Sequence, residues 1–124
     1  MTPPSPRPVT CLVQYEIDPN RHEAFEQYAR CWTALINRYG GTHHGYFIAE
    51  DAPTSATLSF PGIGREGPLS MAFALFSFPS HDVYERYRRA VRDDPDCIAA
   101  EELVRTTQCF TSYERSFVRR LAGA

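Results

Sequence analysis

Lysine is absent from this chain; all 13 basic residues are arginine. Fifteen acidic residues outnumber them, for a formal net charge of -2. There is therefore no surplus of positive charge to displace counterions from a phosphate backbone, and nucleic acid is not an expected partner. Long apolar runs are missing too. The longest, MAFALF at 71–76, falls far short of the roughly 20 residues a membrane-spanning helix needs. The opening MTPPSPRP has prolines where an export signal has an apolar core. These absences predict a cytoplasmic protein with no membrane partner, and residues 1–8 read as a disordered proline-rich leader.

The four cysteines, at positions 11, 31, 97 and 109, form no C-x-x-C pair, which speaks against a zinc knuckle or a redox dithiol. Packed, reduced thiols are the expectation. No Walker loop, G-x-G-x-x-G fingerprint, nucleophile elbow or His-Glu-x-x-His appears, so no cofactor is predicted.

What is present is alternation and helical periodicity. In VTCLVQYEI, Val9, Cys11, Val13, Tyr15 and Ile17 share one face of a strand. Asp18 and Pro19 then form a helix start, and Phe25, Tyr28, Ala29, Trp32, Leu35, Ile36 and Tyr39 mark the inner stripe of a helix closed by Gly40. A second strand is expected from Thr42 to Ala49. Residues 51–68, rich in Pro, Gly, Ser and Thr, make a long connection with room for a short hairpin at ATLSF. LSMAFALFSF is apolar on both faces, as a central strand is. Ser80 caps a second helix carrying Val83, Tyr84 and Tyr87 inward and Arg86, Arg88 and Arg89 outward. Asp94 and Pro95 start a short third helix, and TQCFTSYERSF alternates as a last strand.

Strand, helix, strand, strand, helix, strand is the order of the ferredoxin-like α+β fold: a four-stranded antiparallel sheet, first and third strands central, helices on one face. Residues 9–121 form this single domain. Leu12 and the second apolar face of the third strand would leave the other side of the sheet too apolar for water, and a second copy of the sheet is the economical cover.

Two adjacent histidines in GGTHHGYF cannot aim at one atom if the strand alternates strictly. On that reading His44 shares a face with Tyr46 and Ile48 and looks into the space between sheet and helices, whereas His43 looks the other way. A metal would need three or four ligands converging at about 2.0–2.3 Å; His22 and His81 lie far from the pair in sequence, and no metal site is predicted. The predicted catalytic base is His44. The predicted ligand contacts are Tyr15, Tyr28, Trp32, Tyr46 and Phe73, aromatic walls with a few polar tips such as small-molecule sites have. A histidine hydrogen-bonded in a core or interface is the commoner role, and aromatic residues at helical spacing are more often plain core.

The segments YEIDPNRHEAFEQYARCW, GGTHHGYF, ALFSFPSHDVYERYRR, DPDC and YERSFVRRL resemble NIPSNAP-family proteins of the dimeric α+β barrel superfamily. The resemblance implies a homodimer whose two sheets face each other, with a pocket for a small organic molecule between sheet and helices in each subunit. It implies either a cofactor-independent oxidoreductase or isomerase, or a non-enzymatic dimeric binding or adaptor module. It supplies no catalytic motif.

Overall fold

The computed structural model describes residues 7–55 and 57–124; most of the predicted leader lies outside the described residues. Strands β1 (Val9–Ile17), β2 (Thr42–Ile48), β3 (Met71–Phe78) and β4 (Phe110–Val118) form one antiparallel sheet in the order β2-β3-β1-β4. The ferredoxin-like α+β fold read from the sequence is the observed one, with the first and third strands central. Helices α1 (His22–Arg38), α2 (His81–Val91) and α3 (Pro95–Thr107) complete it, α1 against β2, α2 against β3, and α3 against α1.

Each helix begins where the side chains dictate. Asp18 caps a single 3₁₀ turn, Pro19–Arg21, that leads into α1. Ser80 accepts the Val83 N–H at 3.3 Å, and Asp94 accepts that of Asp96 at 2.9 Å, each satisfying an amide with no partner in the first turn. Gly40, at φ +91°, ends α1 in the left-handed region. Gly41 has no room for a side chain, because an added Cβ would stand 2.8 Å from both Ile36 and Phe78.

A charged clamp joins the end of α1 to the start of α3. Arg38 donates to Asp94 and Asp96, each at 2.7 Å, and the Tyr39 hydroxyl donates to Asp94 at 2.6 Å. The Tyr39 hydroxyl, the Asp96 amide and Arg38 together hold the Asp94 carboxyl below its ordinary range.

The core lies on the helix-facing side of the sheet. There Cys11, Val13, Tyr15 and Ile17 of β1 are buried beside Ala72, Ala74, Phe76 and Phe78 of β3, under Phe25, Leu35 and Ile36 of α1. The opposite side carries Leu12, Met71, Phe73 and Leu75, only half-buried, and Phe47, 49% exposed. No element of this chain packs over it among the described residues. The helix-facing side of β4 is also bare, with Tyr113 62% and Phe117 54% exposed.

Every described residue from 51 to 69 is exposed, and Thr57–Phe60 form no strand, so the expected hairpin is not formed. The segment instead turns at residues 60–63, where the Ile63 N–H donates to the Phe60 carbonyl at 3.2 Å. Too few apolar side chains point one way there for a ladder to close.

Candidate functional site

Between sheet and helices lies a chamber of about 140 Å³. Its sheet wall is Cys11, Val13 and Tyr15 of β1, Tyr46 of β2 and Phe76 of β3; its helix wall is Tyr28, Trp32 and Ile36 of α1 with Tyr84 and Tyr87 of α2. It opens past Arg88, Tyr113 and Arg115 toward a shallow groove of about 570 Å³ that shares Tyr84, Arg88 and Arg115 with it and extends to Pro8, His81, Glu85 and Phe117. The mouth exists because α1 and α2 cover β2, β3 and β1 but leave β4 bare.

The walls are set by aromatic packing. Tyr15 stands at the centre, its ring 4.9 Å from Phe110, 5.3 Å from Phe25, 6.0 Å from Tyr28 and 6.2 Å from Tyr46. Most of these are edge-to-face contacts, the geometry that ring quadrupoles prefer. The phenol groups of Tyr15, Tyr28 and Tyr46 interact electrostatically within this ring cluster. Burial pushes all three phenols above their ordinary range, so at neutral pH they are hydrogen-bonding groups and not bases. Burial likewise pushes the Cys11 thiol up to about 11, which leaves it protonated and a poor nucleophile.

Four of the five predicted ligand contacts, Tyr15, Tyr28, Trp32 and Tyr46, line the chamber. Phe73 does not. It sits on the opposite side of the sheet, stacked on Phe47 at 4.9 Å, because β3 alternates and its helix-facing positions are Ala72, Ala74, Phe76 and Phe78. Phe76 takes the place Phe73 was expected to hold.

The histidine assignment is corrected as well. Pairing of β2 with β3 runs His43 to Phe76 and then Gly45 to Leu75, so His44 is the extra residue of a β-bulge. Gly45, at φ +128°, makes that break in register possible. His43 therefore falls on the same face as Tyr46 and stacks on its ring at 4.7 Å and 12°. His44 is turned outward, exposed, with Nε2 2.8 Å from the Ser77 hydroxyl. Strict alternation would have put His44 with Tyr46; one bulged residue exchanged them.

Nor does His43 line the chamber. It lies behind Tyr46 and Phe76, its Nδ1 accepts the Gly45 N–H at 3.0 Å, and its Nε2 is buried without a hydrogen-bond partner. Desolvation, helped by the neighbouring His44, lowers its pKa from 6.5 to about 4. An unfolded chain takes up this proton near pH 6.5 and the folded protein near pH 4, so stability falls as pH drops through that window and is unaffected by this group above it. The full shift is worth about 3 kcal/mol, reduced to ~1–2 kcal/mol by the ring's partial access to water. Urea unfolding at pH 7.0 and 4.5 measures it, and His43→Phe should remove most of the difference. Asp94, held low, contributes stability at neutral pH that is lost only below the ordinary carboxylate range, so its effect is separable.

The sequence reading left Arg88 among solvated arginines and did not single out Arg115. Arg86, Arg88 and Arg89 are all exposed as expected, and Arg88 also stands at the mouth. The signal was available: Arg88 follows Tyr84 by one helical turn, and Arg115 alternates between Tyr113 and Phe117 on one face of β4. Among the described residues no three His, Cys, Asp or Glu side chains converge as metal ligands, and no helix is long and apolar enough to cross a membrane.

The sequence matches the NIPSNAP family over residues 10–122. The chain belongs to the NIPSNAP family. A NIPSNAP family protein of unknown function from Agrobacterium tumefaciens (atu4242) superposes with a TM-score of 0.70 at 13% identity, over 95% of this chain and 92% of that one. An uncharacterized NIPSNAP-like domain protein from Burkholderia xenovorans gives 0.65 at 18% identity, over 95% and 89%. SnoaB, a cofactor-independent oxygenase from Streptomyces nogalater, gives 0.59 at 15% identity, over 94% and 98%. At these identities the likeness is one of fold. No curated protein matches the sequence.

Proposed function

We propose that this NIPSNAP-family protein is a homodimer whose chamber binds a compact, largely apolar organic molecule. The observation that carries the reading is the chamber itself: a preformed space of about 140 Å³ walled by tyrosine, tryptophan and phenylalanine, with the phenols of Tyr15, Tyr28 and Tyr46 as polar points. The bare face of the sheet, with Leu12, Phe73 and Leu75, supports the dimer.

A second reading, a cofactor-independent oxidoreductase or isomerase, draws on the fold shared with SnoaB and on the phenols, which can donate hydrogen bonds to an oxygen that gains charge during reaction. The inward histidine is too weak a base, and the outward one too far round the sheet, for either to initiate that chemistry on a bound molecule. Binding is therefore the primary reading.

Trp32, the single tryptophan, reports on the chamber. Monocyclic aromatic compounds, neutral and ionised, should change its fluorescence saturably. Val13→Phe, which fills the chamber from the floor, should weaken that response at least tenfold while circular dichroism stays native. Absence of any saturable response across both compound classes would sink the reading.

A further inference from the structure

Arg88 and Arg115 reach the same opening from different elements, one from α2 and one from β4. Both line the chamber and both line the groove outside it. Among the described residues neither forms an ion pair, although Arg30, Arg38 and Arg105 all do. Arg115 instead lies over the Phe117 ring, 5.1 Å from its centroid. The one carboxylate in the groove is Glu85, whose neighbour is His81 at 3.7 Å. A protein with a net charge of -2 thus places two guanidiniums against one carboxylate at the entrance to the cavity that holds its single tryptophan. Like Arg86 and Arg89, both are exposed to solvent, but these two come from separate elements and meet at an aromatic mouth.

Size narrows the guest further. A cavity of about 150 Å³ takes one benzene ring, which is close to the volume here. Guanidinium is the cation whose planar fork matches a carboxylate. We propose that the chamber takes a monocyclic aromatic carboxylate, with the ring among Tyr28, Trp32 and Tyr46 and the carboxylate at the mouth with Arg88 and Arg115. The proposal rests on the small-molecule reading above and adds the charge of the ligand.

Titrations followed by Trp32 fluorescence test it with benzoate, benzyl alcohol and acetate. Benzoate should bind at least tenfold more tightly than either benzyl alcohol, which keeps the ring without the charge, or acetate, which keeps the charge without the ring. Arg88→Gln and Arg115→Gln should each weaken benzoate by roughly tenfold, the loss of a charge-assisted hydrogen bond, and weaken benzyl alcohol severalfold less. Equal binding of benzoate and benzyl alcohol overturns the proposal but leaves the aromatic chamber as a binding site. Binding of acetate as tight as benzoate overturns it by showing a surface anion effect. No binding of either aromatic compound overturns both this proposal and the reading beneath it. The wild-type comparison decides the matter even if a variant fails to fold.

Discussion

Leu75→Asp is expected to break the proposed homodimer and leave a folded monomer of 14.1 kDa. Leu75 lies on central strand β3, opposite Leu12 of β1 and Gly45 of β2, in the middle of the bare side of the sheet. Around it stand Met71, Phe73 and Phe47, so the patch spans three strands. In a lone subunit an aspartate at this position remains half in water and costs little. Between two facing sheets the carboxylate would be buried without a partner, a loss of several kcal/mol and more than a typical interface can absorb. Light scattering at micromolar concentration, with circular dichroism as the folding control, gives the answer. A wild-type protein that is already monomeric would remove the two-sheet assembly, and the apolar face would then need another cover.

Phe25→Ala should cost about 3–5 kcal/mol of unfolding free energy, the usual loss for truncating a large buried ring. Phe25 is 0% exposed, and its ring contacts those of Tyr15, Tyr28, Tyr46 and Phe110 at 5.3–6.3 Å. It does not line the chamber; it stands behind three of the side chains that do. Its loss should therefore have two effects. Stability falls by the transfer and cavity terms together, and the tyrosines lose the wall that fixes their rings. Urea unfolding reads the first, and broadening of the Trp32 response to aromatic compounds reads the second. A change below about 1 kcal/mol would mean that the neighbouring rings collapse into the space, and that the chamber is a soft region and not a preformed one.

The sequence by itself determined the fold, because every element rests on local signals. Asp18-Pro19, Ser80 and Asp94-Pro95 start helices through caps that act within one turn, and Gly40 ends one through its own backbone freedom. The two-sided apolar pattern of 71–78 put that strand at the centre of the sheet, and periodicity pointed Tyr15, Tyr28 and Trp32 toward the sheet-helix space, whereas Tyr46 and Phe47 left both faces of the second strand equally apolar.

Tertiary structure decided what those patterns cannot carry. A bulge is one residue long and has no periodic signature, so only the pairing of β2 with β3 shows that His43 and not His44 shares a face with Tyr46. A strand that is apolar on both faces does not say which face meets the helices, so Phe73 and Phe76 could be told apart only once the helices were in place. The mouth depends on where α2 stops short of β4, a matter of how helices pack across a twisted sheet. That is why Arg88, 27 positions before Arg115 in the chain, meets it at one opening although nothing local in either segment announces the other.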